Sequence, residues 1–345
     1  MTESHHHTAP PHVGPTPVTT LRRGSFWVGG TTIETADGQH LLQGQMFVEW
    51  LAPERVSRIW PVVLVHGGGG QGTDWLTTPD GRPGWAYRFA AEGYAVYVVD
   101  RPGHGRSPYH PDVLGAAGAQ TTVDAAAGLF AAPGAEGQTQ WPWERQLGAP
   151  ELEQLAAGMS FLLADAELSQ RLDGEALARL LHRIGPSVLV THSAGAPAGW
   201  LALNHAPDRV AGVVAVEPMG PPFMDIPGFG SLPWGLTAAP VACEPPVQEP
   251  DSLQDGTTSA RIRGFEGAPV LVVAGESSEF GQGVGPAVVD FLSSHKAEAR
   301  FLDLGQRGIR GNGHGLMFEA NSEQAIEPVL DWLGDLASDS DPGSS

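Results

Sequence analysis

The chain has 345 residues, 41% of them hydrophobic, enough to bury a substantial core in one elaborated domain. Its formal net charge of −20 at pH 7 argues against a nucleic-acid backbone or an anionic membrane surface as partner, since both would be repelled. A lone cysteine, Cys243, excludes an intrachain disulfide and a thiolate metal cluster.

The N-terminus, MTESHHHTAPPHVGPTP, reads as a disordered arm over residues 1–22. It lacks a basic segment followed by an apolar run, so the expectation is a cytoplasmic protein without a signal peptide, and no stretch is long and apolar enough to span a bilayer. His5, His6, His7 and His12 could chelate a metal only adventitiously in such proline-rich surroundings. From Gly24 to Trp50, the run SFWVGG, the turn signal at Ala36-Asp37-Gly38 and the run QMFVEW predict an antiparallel strand pair at a sheet edge.

Trp60 to Val65 is continuously apolar, as a strand buried on both faces of a parallel sheet must be, and it runs into His66-Gly67-Gly68-Gly69-Gly70. A helix is predicted over Trp85–Glu92 and a strand over Tyr94–Val99, followed by the loop Arg101 to Ser107. Residues 108–150 lose periodicity and read as an inserted segment carrying Trp141 and Trp143. Helices are expected from Glu151 to about Ala166 and from Gly174 to Arg183.

The apolar run Val188 to Val190 then stops at Thr191-His192-Ser193-Ala194-Gly195, and small residues lead into a helix. A strand, tight turn and helix of this kind lifts the central side chain clear of the sheet, in the manner of a G-x-S-x-G nucleophile elbow, here with Thr191 at the usual first glycine. Alone, the pentapeptide fits a helix-capping serine equally well.

After the strand Val210–Val216 and Glu217-Pro218, residues 218–267 form a second irregular insertion rich in proline, glycine and aromatics, including Trp234, of the kind that makes lids or substrate walls. A strand over Pro269–Ala274, a helix over Pro286–Ser294, a strand over Ala299–Leu304, the loop Gly311-Asn312-Gly313-His314-Gly315 and a helix from about Glu323 to Leu336 complete a domain spanning 23–337, with a polar tail over 338–345. Apolar strands alternating with helices indicate an α/β fold built on a mostly parallel sheet of about eight strands, with helices on both faces and the two insertions as a cap.

A serine hydroxyl becomes a nucleophile when a histidine removes its proton, a carboxylate orients that histidine and N–H donors meet the oxyanion. Ser193 and His314 supply the first two, His314 because its glycine-rich loop lets the ring reach back over the elbow. His66, His104 and His192 read as structural. For the acid, Glu276 and Glu279 follow the strand where it usually lies, whereas Glu217 directly follows the strand beside the elbow and is favoured on that ground. The oxyanion donors are expected at the amides of Ala194 and Gly68. The glycine run lacks the lysine of a phosphate-binding loop, so neither nucleotide nor other cofactor is expected, and no metal. Trp141, Trp143 and Trp234 either line an acyl or aryl pocket or merely anchor the insertions.

The segments VHGGGGQGTDWLTTPDGRPGWAYRFAAEGYAVYVVDRPGHGRS, THSAG, VAVEP and GNGHGLMFE resemble the α/β-hydrolases, and within them the bacterial esterase 713-like group, over about Arg22 to Leu336. The resemblance implies a carboxylic ester hydrolase with a Ser193-His314-Glu217 triad, Gly68 in the oxyanion hole, a small-molecule ester as substrate and a homodimer with a cap. Acyl transfer, or lactone or amide hydrolysis, by the same residues is the alternative, and a non-catalytic binding protein a third. The group's founding type carries adjacent cysteines where this chain has Gly68 and Gly69, so no vicinal disulfide stiffens this loop and greater mobility is expected there.

Overall fold

A computed structural model describes residues 19–132, 137–226, 230–254 and 259–339. Eight strands form the main sheet: β1 Leu21–Glu34, β2 His40–Pro53, β3 Val62–Val65, β4 Val96–Asp100, β5 Ser187–His192, β6 Val210–Val216, β7 Pro269–Ala274 and β8 Glu298–Asp303. Their spatial order is β1-β2-β4-β3-β5-β6-β7-β8. The pairs from β4 through β8 are parallel, and β2 pairs antiparallel with both β1 and β4. The expected edge hairpin is therefore present. Its first strand begins at Leu21, inside the last residues of the expected arm, and residues 1–18 lie outside the described residues.

The central strands are apolar throughout because successive side chains enter two different cores. Val63, Leu189, Val213 and Val272 pack on one face with α3 (Ala166–Ile184), α4 (Ala196–His205) and α5 (Glu279–Ser294). Leu64, Val190, Val214 and Val273 pack on the other with α1 (Trp85–Ala91), α2 (Pro150–Ala157) and α6 (Glu327–Asp339).

Helix boundaries depart from the sequence reading in four places. The helix expected to reach Ala166 ends at Ala157, and Phe161–Leu163 instead pairs antiparallel with Ala117–Gln120. The next helix starts eight residues before Gly174, capped by Asp165, whose carboxylate accepts the Leu168 N–H at 2.9 Å. Gly174 lies inside it because a Cβ there would come within 2.5 Å of Leu201 Cβ, and only glycine lets α3 and α4 approach so closely. Finally, α5 begins at Glu279, capped by Ser278, and carries Pro286 within it. The closing helix is preceded by a separate turn at Ser322–Ala325.

Candidate active site

Strand β5 ends at His192, and Ser193 follows with φ +49°, in the left-handed region that costs a non-glycine residue about 1–2 kcal/mol. One turn of 3-10 helix, Ser193–Gly195, leads into α4. Gly195 is required by close approach, since a Cβ would meet the His66 carbonyl oxygen at 2.3 Å. Thr191 fits where this turn usually has glycine because the small residue has moved to α4: Gly199 faces the Thr191 methyl group, and a Cβ on Gly199 would lie 2.8 Å from it.

Three distant loops meet at this turn. His314 Nε2 lies 3.0 Å from Ser193 Oγ, and His314 Nδ1 lies 3.2 Å from Glu217 Oε2. The tautomer that suits both partners carries its proton on Nδ1, leaving Nε2 to accept from the serine hydroxyl. Glu217 follows β6, is wholly buried, and accepts the Gly275 N–H on Oε1 at 2.6 Å and the Ser278 hydroxyl on Oε2. Burial pushes its carboxyl above the usual range, against those hydrogen bonds from Ser278 and Gly275, which favour the carboxylate. Burial, with the ring packed at 5.6 Å from Phe130 and 4.8 Å from His192, pushes the His314 imidazole below its ordinary value, so it is neutral at pH 7.

The rival acid is engaged elsewhere. Glu276 accepts from Arg310 at 2.9 Å and from the Gly311 N–H at 3.1 Å, binding the loop ahead of His314 rather than its ring. The Glu279 side chain lies outside the described residues. The three histidines read as structural are buried on backbone partners: His66 Nε2 accepts the Arg101 N–H at 3.0 Å, His104 Nδ1 donates to the Pro102 carbonyl at 3.1 Å, and His192 Nε2 donates to the His314 carbonyl at 3.1 Å.

The glycine loop crosses the elbow. A Cβ on Gly68 would lie 3.3 Å from Ala194 Cβ, so the two backbones are neighbours beside Ser193. Among the described residues the Gly68 N–H has no hydrogen-bond partner, and the Ala194 N–H belongs to the first turn of a helix, which leaves its amides without internal acceptors. The loop is tethered where a vicinal disulfide is impossible: the Gly69 carbonyl accepts the Ser160 N–H at 2.6 Å, and Gly69 itself has φ +66°.

Several site residues escaped the sequence reading. Glu319, fully buried, accepts the Gly313 N–H at 2.7 Å, Asn312 Nδ2 at 2.7 Å and Gln138 Nε2 at 3.0 Å, and so fixes the loop that presents His314. Burial pushes its carboxyl up to about 6. The available signal was a carboxylate in the otherwise apolar run Leu316 to Ala320. Ser278, Gln138 and Phe130 carried no pattern of their own.

A cavity of about 480 Å³ opens beside the turn, with Ala194, Met219 and Leu162 in its wall. None of the three tryptophans lines it, and their packing fits the anchoring reading. Trp141 is 1% exposed and packs edge-on against the half-buried Trp143, and Trp234 belongs to the core on the α3–α5 face of the sheet. Apolar surface of that size gains more from burial in the core than from lining an open cavity. Among the described residues no helix is long and apolar enough to cross a membrane.

Three similarities bear on this geometry. Residues 61–252 match the family described as alpha/beta hydrolase fold. The chain is 34% identical over 313 residues to a probable secreted lipase, phiG, of a fungal species (strain ATCC 74256), covering 84% of this chain and 85% of that protein. A bacterial esterase solved at atomic resolution superposes with a TM-score of 0.68 at 24% identity, covering 94% of this chain and 99% of the other, a likeness of fold.

Proposed function

The chain belongs to the alpha/beta hydrolase fold family, and from that premise we propose that it hydrolyses carboxylic esters of small molecules through an acyl-enzyme. The observation that carries this reading is the continuous contact from Ser193 Oγ to His314 Nε2 at 3.0 Å and from His314 Nδ1 to Glu217 at 3.2 Å. The similarity to a probable secreted lipase, and the likeness of fold to a bacterial esterase, support it.

In this reading neutral His314 takes the Ser193 proton as Oγ attacks the ester carbonyl. Glu217 holds the ring in the accepting tautomer and stabilises the imidazolium that forms. The amides of Gly68 and Ala194 meet the oxyanion. His314 then returns its proton to the departing alcohol, and water, activated by the same ring, releases the acid and regenerates Ser193.

The insertions at 108–150 and 218–267 serve as a cap in this account. Gly118 and Ala119 of the first and Asp225, Ile226 and Ser231 of the second share the wall of one cavity with Ala194, which supports that role. The test is labelling by a fluorophosphonate probe together with turnover of p-nitrophenyl esters. Both are expected in the native chain and both lost in Ser193→Ala; labelling that survives the substitution would refute the assignment of the nucleophile.

A further inference from the structure

The cavity beside Ser193 has the volume of a site for a small organic ligand. Ala194 and Met219 stand in its wall, and the Met219 N–H donates to the Ser193 carbonyl at 3.1 Å, but His314 is not among its lining residues. In the tetrahedral intermediate on Ser193 the departing alcohol must face His314 Nε2, which protonates it, and the oxyanion must face Gly68 and Ala194. The one remaining substituent is the acyl chain. A cavity that meets Ala194 and not His314 therefore receives the acid portion of the ester.

The wall of this cavity is chemically divided. Leu162, Met219 and Ile226 are apolar, whereas the first turns of α3 contribute Ser169 and Gln170, both buried. Gln170 Oε1 accepts the Ala238 N–H at 2.6 Å, which leaves the Nε2 donors for the cavity, and among the described residues the Ser169 hydroxyl has no hydrogen-bond partner. Arg101 also borders the cavity, but its terminal nitrogens are committed at 2.8 Å each to Asp173 and to the Gly67 carbonyl. The site thus offers neutral donors without an uncommitted positive charge, and Asp225 at its rim repels anions.

We propose that this cavity is an acyl site selective for acids that carry a neutral hydrogen-bond acceptor, a keto, ether or hydroxyl oxygen, over plain alkyl acids, with Ser169 and Gln170 donating to that oxygen. The inference rests on the hydrolase reading above. An alkyl chain that fills the cavity takes water away from these donors and leaves them unpaired, while an oxygen of the right reach restores the bond.

The experiment compares p-nitrophenyl acetate, hexanoate, 5-oxohexanoate and the p-nitrophenyl monoester of glutaric acid, a common leaving group keeping the alcohol side constant. The oxo ester is expected to exceed hexanoate in kcat/KM by about fivefold to tenfold, the worth of one hydrogen bond, and the anionic monoester to be the poorest of the long substrates. Ser169→Ala should bring the oxo-to-alkyl ratio towards one, chiefly through KM. Leu162→Trp, which narrows the cavity, should cost hexanoate far more than acetate. An oxo-to-alkyl ratio near one in the native chain, or a ratio that Ser169→Ala leaves unchanged, would overturn the selectivity. Equal losses of acetate and hexanoate in Leu162→Trp would overturn the acyl-side assignment. Absence of both probe labelling and ester turnover would instead remove the hydrolase reading, and this inference with it.

Discussion

Ser193 and Glu217 share a left-handed φ of +49°, and each is the first residue after a central parallel strand, β5 and β6 respectively. Two adjacent strands thus each end in a residue of left-handed φ, and each of these side chains meets His314. A left-handed backbone at a serine and a glutamate is strain that surrounding structure must hold in place. At Glu217 the holding contacts are its own N–H to the Val273 carbonyl, at 2.8 Å, and the Gly275 and Ser278 donors on its carboxylate.

Glu217→Gln keeps the shape but presents an amide to His314 Nδ1 and favours the wrong tautomer. It is expected to lower kcat by three to four orders of magnitude, on the pattern of triad acids. Glu276→Gln, by contrast, removes a partly exposed contact with Arg310 and should leave kcat within about tenfold. Steady-state kinetics on one p-nitrophenyl ester decide between them, and the opposite ranking would move the acid to Glu276.

Gly195→Ala drives a methyl group into the His66 carbonyl, backbone against backbone. Neither side can rotate away, so a stability loss of more than about 2 kcal/mol is expected in urea unfolding. Ser193→Gly, which relieves the left-handed strain, should unfold at a temperature no lower than that of the native chain while showing no esterase activity.

Much of this was legible in the residues. The continuous runs Val62–Val65 and Val210–Val216 announced strands covered on both faces, and the small residues from Ser193 onward announced a tight turn into a helix. Ser193 and Glu217 were singled out because each directly follows an apolar strand, and His314 because it sits in a glycine-rich loop after the last one. The choice between Glu217 and Glu276 was not decidable from order alone, since both follow strands. It is the Arg310 side chain, thirty-four positions on from Glu276, that turns the second carboxylate away. The start of α3 was misplaced for a related reason, because Gly174 reads as a boundary until Leu201 is known to press on it. The tryptophans were ambiguous because an indole fills a core and a pocket wall equally well.

The buried histidines set a pH dependence with a definite sign. His104 is pushed down to about 3 by burial and by the neighbouring Arg101 charge. Between pH 6.5 and 3 the unfolded chain therefore binds a proton at this residue that the folded chain does not, and stability falls as pH falls. The contribution is fully present above pH 6.5. At pH 5 the native chain should have lost about 2 kcal/mol through this one group, about 1.4 kcal/mol per pH unit. His104→Asn removes the titration, so its urea midpoint should change less between pH 7.5 and 5 than that of the native chain. Equal changes in the two proteins would show that His104 is not held neutral by the fold.

Arg101 and Asp173 form an ion pair at 2.8 Å with both side chains almost completely buried. The pair is only partly satisfied, since among the described residues Arg101 Nε and Asp173 Oδ1 have no hydrogen-bond partner. Its net worth to folding is therefore small, while either partner alone would be an uncompensated buried charge. Arg101→Leu is expected to cost about 3–5 kcal/mol, and the double substitution Arg101→Leu with Asp173→Leu to recover most of that loss. Activity should behave differently. The guanidinium also donates to the Gly67 carbonyl at 2.8 Å, the residue that precedes the proposed oxyanion donor Gly68. A stable double variant should therefore still show a lowered kcat with KM little changed, because the loop has lost its tether. Restoration of both stability and kcat in the double variant would mean that the pair serves folding alone.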